Sequence, residues 1–303
     1  MTEAGAFRRF CKSQRLRTYY MLKKEQGFLQ SIAKNPAALV GGSIIALMII
    51  CAIFAPWISP HNPLAIDMKH KFEGPSGRYL LGTDELGRDT LARIIYGARI
   101  TVPIMFGVVV LGAAAGVVLG ILAGYCRGTI VDKLLLWFFD IVSTIPGMIL
   151  VLALVAVFGS SDLALLLVMA FWLVPNYGRI ARTETLSVRS STYIKAAEGL
   201  GAQPWQIMLS HMLPNIIPAI IVIAGMDLAV VVMSLAGLSF LGLGMQPPMP
   251  SWGGMLSEGY TYVRQTPWLI IWGSVTLLVV MIGCSLFSAG LRASLKPEES
   301  LSK

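Results

Sequence analysis

Charge restricts the fold of this sequence more than any other feature, because Asp, Glu, Lys and Arg are gathered into clusters separated by long stretches that hold none. Charge-free runs cover 35–66, 100–126, 141–161, 163–178, 199–226, 228–257 and 265–291. A helix needs roughly 20 apolar residues to cross the hydrocarbon of a bilayer, and most of these runs are that long. Only 13% of the chain is charged, about half the share usual in soluble domains. That is too little to cover a water-facing surface, and it argues against a secreted, cytosolic or disordered chain.

Trimmed at turn residues, the runs predict spans near 37–57, 100–125, 134–158, 162–179, 216–242 and 268–291. A membrane barrel would need segments of about ten residues with alternating polarity, whereas Val108 to Leu122 is continuously aliphatic or small. The expected fold class is an all-α membrane protein with six transmembrane helices. The expected organisation is a basic tail over 1–36, a first span and outer amphipathic segment over 37–98, a helical core over 99–292 and a short tail over 293–303. The core carries one long polar loop, 179–215.

An even number of spans puts both termini on one side, and basic flanks are retained in the cytoplasm. Seventeen of the 24 Lys and Arg residues fall on the side of the termini and seven on the other, so both termini are expected to be cytoplasmic. The net charge of +8 follows this distribution, which argues against a nucleic-acid partner and for membrane lipid. The first apolar run begins after a polar, basic stretch and exceeds the core of a signal peptide, so it reads as a retained anchor.

Cys51 and Cys284 fall in predicted spans, and Cys11 and Cys126 lie on or beside the reducing side, which argues against a disulfide framework. His61, His70 and His211 have no metal-ligand spacing with one another or with Cys. The sequence contains no GxxxxGK[ST] phosphate loop. No bound metal, no cofactor and no catalytic residues are therefore expected in this chain.

The loop over 179–215 is long yet patterned, and long patterned loops are usually functional. Tyr193 to Gly201 reads as a short helix of small residues ended by glycine. Pro204 suits the first turn of a second helix. That helix, Trp205 to Met212, is expected to gather Trp205, Met208, Leu209 and Met212 on one face and to be broken at Leu213-Pro214 before the fifth span. Such a knob fits either a groove on a soluble partner or the surface of its own bundle.

Three ordered motifs carry a family resemblance. Ala196-Ala197, Gly201 and Leu213-Pro214 resemble the EAA loop of bacterial ABC importer permeases. Leu81-Gly82-Thr83-Asp84-Glu85-Leu86-Gly87-Arg88-Asp89, and Leu238 to Gly244 followed by Gln246-Pro247-Pro248 and Ser251-Trp252-Gly253, are similar to the dipeptide, oligopeptide and nickel permeases, in particular their C component. The resemblance covers about residues 35–297. It implies a subunit forming half of a pore in the bacterial cytoplasmic membrane, with a homologous second permease, two ABC ATPase subunits that carry ATP and Mg, and an extracytoplasmic solute-binding protein. It implies peptides or a related solute such as a nickel chelate or opine. Lys195, Ala196, Ala197, Glu198, Gly201, Trp205, Leu213 and Pro214 would form the ATPase-coupling loop. Lys195 stands where the motif is often acidic, and Leu235 where many relatives carry Glu.

Two acidic residues lie inside predicted spans, where ionisable groups face protein or water. Asp140 sits near the cytoplasmic end of the third span, within reach of basic residues. Asp227 lies near mid-membrane; it either lines the translocation pathway with Ser234, meets a polar group across a subunit interface, or is a buried carboxyl. Thr83 to Arg99 is expected to be an amphipathic helix with Asp84–Arg88 and Asp89–Arg93 paired at i,i+4. It is read either as lying on the membrane or, through Asp84, Arg88 and Asp89 with Gln246 and Trp252, as a landing surface for the binding protein. Gly112, Gly116, Gly120 and Gly124 repeat at the spacing that permits close helix contact, and Pro146 and Pro175 are expected to mark kinks. The alternative from another class is an ion-coupled secondary transporter using Asp227.

Overall fold

The computed structural model describes residues 31–295. The first helix, α1 (Pro36–Ile58), opens on Asn35, whose side chain accepts the Ala37 and Ala38 N–H groups at 3.0 and 3.3 Å, with Pro36 in the first turn. Leu39, Leu47, Ile53 and Trp57 along it are exposed, as expected of a lipid-facing helix. A loop with a single 3-10 turn at Met68–His70 leads to a tight turn over 83–89.

The second helix, α2 (Thr90–Tyr125), is capped by Asp89, which accepts the Leu91 N–H at 2.9 Å. Its 36 residues span about 54 Å at 1.5 Å per residue, well beyond a hydrocarbon core of about 30 Å. It therefore begins ten residues ahead of the expected span and extends out of the membrane. The Thr83–Arg99 helix expected on the membrane surface does not form: 83–89 is a turn, and the rest is the first part of α2. The helix also runs unbroken through residues 98 and 99, where the sequence suggests a boundary.

The third predicted span, 134–158, is not one straight helix. It is α3 (Ile130–Thr144) and α4 (Gly147–Phe158), bent by 90° at Ile145-Pro146. Proline has no N–H to give and drives the preceding residue out of the helical region, and Ile145 is extended at φ −85°, ψ 126°. Gly147 allows the indole of Trp172 to close over the bend, where any side chain would collide with the ring.

The glycine stripe settles how the chain threads. Gly112, Gly116, Gly120 and Gly124 of α2 lie successively against Ala170/Leu173, Val174/Tyr177, Gly178/Ala181 and Arg182/Thr185 of α5 (Asp162–Arg189). Both series rise together, so α2 and α5 run parallel, and the intervening α3–α4 pair must carry the chain back between them. Among the described residues that gives six passages, from five unbroken long helices and one bent pair. The stripe thus packs within the bundle. Pro175, the other expected kink, is buried inside α5, which continues as one helix from Asp162 to Arg189.

Three short pieces follow: α6 (Thr192–Gly199), α7 (Pro204–Ile207) and a π-turn at Met208–Met212 that runs directly into α8 (Leu213–Phe240). A loop containing a cis Pro247–Pro248 bond leads to α9 (Trp252–Thr261), and α10 (Pro267–Leu295) closes the bundle against α1 and α8. Gly41 meets Phe287 and Gly290 meets Ala38 where α1 and α10 touch. The core is filled by Met105, Phe139, Leu165, Met169, Tyr177, Ile216 and Leu235, all at or near zero exposure. Cys51, Cys126 and Cys284 are free thiols. Most of the expected basic tail over 1–36, with Cys11, and most of the tail over 293–303 lie outside the described residues.

Candidate functional site

At the end of the bundle where α2 and α5 finish, polar ties fix the helix termini. Arg182 grips Asp132 of α3 through Nε at 2.7 Å and Nη2 at 3.0 Å, and the Gly128 N–H donates to the same carboxylate at 2.9 Å. Arg189 donates to the Tyr125 carbonyl and lies 4.9 Å from the centre of the Tyr125 ring. Arg179 donates to Phe139 O at 2.9 Å and lies 3.5 Å from Asp140, which is an exposed carboxylate as its place near the helix end suggests.

From this clamped end the chain projects an elbow. Helix α6 is closed by N–H donation from Leu200, Gly201 and Ala202 to the carbonyls of Ala196, Glu198 and Ala197. Gly201 holds φ +83°, the left-handed conformation that closes such a terminus. A Cβ there would meet nothing within 4 Å, so the dihedral, not crowding, requires glycine. Helix α7 begins at Pro204 inside a reciprocal Gln203–Gln206 capping box, the Gln203 N–H donating to Gln206 Oε1 at 3.0 Å.

The expected break at Leu213-Pro214 is absent. The Leu213 N–H bonds back to Met208 O in a π-turn, and Pro214 falls in the first turn of α8, so the helix passes the proline without interruption. The same turn changes the helix phase and splits the expected apolar stripe. Met212 is fully buried and Met208 half-buried, while Trp205 and Leu209 are exposed. Ile194, Ile207 and Met212 instead peg the elbow into the core. Asn215 closes it, donating to His211 O at 2.6 Å and to the Tyr193 hydroxyl at 3.2 Å.

What remains outside is an apolar tip, Leu200 at 89% exposure with Trp205 and Leu209 about half exposed. Lys195, Ala196 and Glu198 are exposed beside it, Ala197 is half-buried, and Leu213 and Pro214 are half-buried at its base. The elbow thus brings together all eight residues expected there. Leu200, absent from that set, is the most exposed residue of the tip, and Tyr193, also absent, stands at the other end of α6 against His211 and Asn215; their signal in the sequence is an apolar residue on each side of the Lys195–Glu198 stretch.

The opposite end shows the reverse chemistry. Asp84, Arg88 and Asp89 are all buried, as is Trp252, so these residues do not form the exposed landing surface expected of them. Arg88 pairs with Asp84 at 2.7 Å and Glu85 at 2.9 Å. Arg93 pairs with Asp84 and, at 2.6 and 3.0 Å, with Glu258 of α9. The expected Asp89–Arg93 pair is replaced, because Asp89 caps α2 and holds His61 Nδ1 at 2.7 Å. The Trp252 indole donates to Ile94 O at 3.0 Å. Oxygens of Asp84, Glu85 and Glu258 lie within 4.8 Å of one another, and the two guanidinium groups offset two of those three charges. Burial, then the Glu258 and Asp84 carboxylates, push the Glu85 carboxyl above its ordinary range. Gln246 alone of the expected landing residues is exposed.

Asp227 and Ser234 are separated. Asp227 is buried against Tyr177 of α5, and neither its Oδ2 nor the Tyr177 hydroxyl has a hydrogen-bond partner among the described residues. Ser234 lines an apolar groove of about 690 Å³ between α8 and α10, beside Met226, Met233 and Arg292.

Six passages among the described residues, apolar flanks and charge gathered at the two ends, with Asp227 inside α8 the buried exception, define a polytopic helical membrane protein. The chain belongs to the family of inner membrane components of binding-protein-dependent transport systems, whose pattern it matches over residues 116–299. Residues 26–75 match the N-terminal transmembrane domain of oligopeptide transport permease C. It is 36% identical over 269 residues to the dipeptide transport system permease protein DppC of Alkalihalophilus pseudofirmus, covering 89% of this chain and 88% of that one. Identity is 34% over 277 residues, 89% and 91% of the two chains, to a di/tripeptide transport system permease of Pseudomonas aeruginosa. A glutathione transport system permease of Pectobacterium atrosepticum is 34% identical over 272 residues, 89% and 90%. The chain is a transport permease and not an enzyme.

Proposed function

We propose that this chain forms one half of the membrane pathway of an ATP-driven peptide importer in the bacterial cytoplasmic membrane, with the elbow and both termini cytoplasmic. The observation that carries the reading is the elbow, which is rigidly pegged by Ile194, Ile207 and Met212 yet leaves Leu200, Trp205 and Leu209 in water. An apolar tip on a fixed base fits a groove on a soluble partner. The partner is an ABC ATPase subunit, and two of these hold ATP and Mg between them. A homologous permease completes the pathway, and an extracytoplasmic solute-binding protein delivers the solute. The excess of Lys and Arg at the elbow end supports the orientation.

Because Pro204–Phe240 passes both the π-turn and Pro214 without interruption, displacement of the elbow moves α8 as a lever. Ser234 and the α8–α10 groove lie on that lever. Asp227, turned toward Tyr177, acts as an internal contact between α5 and α8 and not as a wall of the pathway. Gln246 and the exposed Pro247–Met249 segment offer the binding protein its landing surface. Peptides are favoured over nickel chelates or opines because the relatives at 34–36% identity are named for dipeptides, di/tripeptides and glutathione.

The test is uptake of a labelled dipeptide into proteoliposomes holding the complete complex. Uptake that needs ATP, Mg and the binding protein and persists when the proton gradient is collapsed supports the reading. Uptake that follows the proton gradient without ATP contradicts it.

A further inference from the structure

Helices α5 and α8 enter and leave the elbow, yet they pack lightly on each other: α5 rests mainly on α2, and α8 mainly on α10. Each is also tied away from the other. Arg182 holds α5 to Asp132 of α3 at 2.7 Å, and the Ser288 hydroxyl of α10 donates to Val222 O of α8 at 2.7 Å. At the end opposite the elbow the seam between α5 and α8 is pinned through α9. Gly253 of α9 lies directly against Ala236 of α8, the Trp252 indole donates to Ile94 O of α2 at 3.0 Å, and Glu258 pairs with Arg93 of α2 at 2.6 Å. At the other end the two helices are joined by the elbow itself. Displacing the elbow therefore swings α8 past α5 about the pinned end.

Midway along this seam two buried polar groups face one another without bonding. Tyr177 of α5 is 0% exposed and Asp227 of α8 is 8% exposed. The Tyr177 hydroxyl and Asp227 Oδ2 lack partners although the two side chains lie within each other's reach. Among the described residues, the other buried side-chain atoms left unbonded belong to Glu85, Thr90 and Arg93, all at the end opposite the elbow. A buried donor and acceptor left unmade are costly, and here each group could satisfy the other. One hydrogen bond can join them in either protonation state of Asp227, from hydroxyl to carboxylate or from carboxyl to hydroxyl. Such a bond weakens steeply beyond about 3 Å, so a slide of roughly an ångström makes or breaks it.

We propose that Asp227 and Tyr177 form a latch, unmade in the arrangement observed and closed when the ATPase displaces the elbow, so that their hydrogen bond favours the displaced arrangement. The proposal deepens the importer reading and rests on it. Asp227 is then a positioning residue, which acts on the tilt of α8 and touches no solute. Removing either group leaves one orphaned atom in both arrangements, and removing both leaves none in either. Each single change and the double change should therefore erase the same preference.

The experiment uses the complete complex in nanodiscs, with nitroxides at Lys133→Cys of α3 and Ile217→Cys of α8 in a chain whose native cysteines are replaced by alanine. Both positions are exposed, and they belong to opposite sides of the seam. Double electron–electron resonance then counts the two arrangements without nucleotide and with ATP and vanadate. The wild type should populate a second distance with ATP and vanadate. Tyr177→Phe, Asp227→Leu and the double variant should each lower the ratio of second to first by about tenfold, the worth of one buried hydrogen bond. Asp227→Asn, which can still bond the hydroxyl, should stay within about twofold of the wild type. Without nucleotide, Tyr177→Phe should melt no lower than the wild type, because the bond is not made there, whereas loss of a structural brace would lower it. An unchanged ratio in Tyr177→Phe, additive losses in the double variant, or a lower melting temperature without nucleotide overturns the latch. If the variants keep the wild-type ratio while the wild type imports peptide with ATP, the latch fails and the importer reading stands. If ATP changes neither the distance nor uptake in the wild type, both fall.

Discussion

The two ends of the bundle handle unfavourable groups in opposite ways. At the end opposite the elbow, Asp84, Arg88 and Arg93 are taken out of water and satisfied by one another and by Glu258. At the elbow, polar backbone is capped internally while Leu200, Trp205 and Leu209 stay exposed. Buried charges that are paired within the chain mark a finished structure, since leaving any one unpaired is costly. Exposed apolar groups on a rigid support mark an unfinished one, because their burial waits for another surface. The buried charge cluster therefore answers to stability and the elbow to partnership.

The largest expected effect strikes the finished end. Arg93→Ala leaves Asp84 buried with only Arg88 beside it and should cost about 3–5 kcal/mol, read as a fall in thermal stability of the purified chain. Trp205→Ala should do the opposite: thermal stability unchanged, and affinity for the ATPase subunit lower by about 2 kcal/mol, roughly thirtyfold, if the tip is a binding hot spot. A destabilised Trp205→Ala chain would erase the contrast. Gly201→Ala forces a side chain into the left-handed region at a cost of about 1 kcal/mol, and hydrogen exchange should show α6 opening while the outer turn is unaffected.

The smallest effect is one of pH. Since the folded Glu85 carboxyl titrates above its unfolded value, the folded state holds the extra proton, and Glu85 contributes stability only at low pH. That contribution declines as pH rises from the unfolded carboxyl value, about 4.3, through the raised folded one. Glu85→Gln should therefore flatten the acid side of the stability profile and leave the variant more stable than the wild type at neutral pH. A profile that falls toward acid in the same window would contradict the pairing.

Local chemistry made much of this legible. Charge-free runs mark the spans because lipid tolerates no charge, and Gly201 and Pro204 announce the two short helices by their own dihedral limits. The glycine stripe correctly signals close packing, although only the structure shows α2 and α5 to be parallel. Contacts distant in sequence were not readable: Glu258 reaches Arg93 across 165 positions, and i,i+4 spacing suggested Asp89 in its place. Ile145-Pro146 is visible as a kink in the sequence, but not its 90° angle, at which the Trp172 indole lies against Gly147. The π-turn was hidden because proline rules describe a break at Pro214, whereas packing of Ile207 and Met212 holds the helix together through it.

The central claim is that the elbow tip is the surface through which an ATPase drives this permease. The most direct measurement is affinity purification of the complete complex with Leu200→Asp, a change at the most exposed apolar residue of the elbow, scoring the bound ATPase and the ATP hydrolysis stimulated by loaded binding protein. The account predicts a folded chain that keeps its sister permease and loses both the ATPase and the hydrolysis. A variant that retains the ATPase and hydrolyses ATP at the wild-type rate would contradict it.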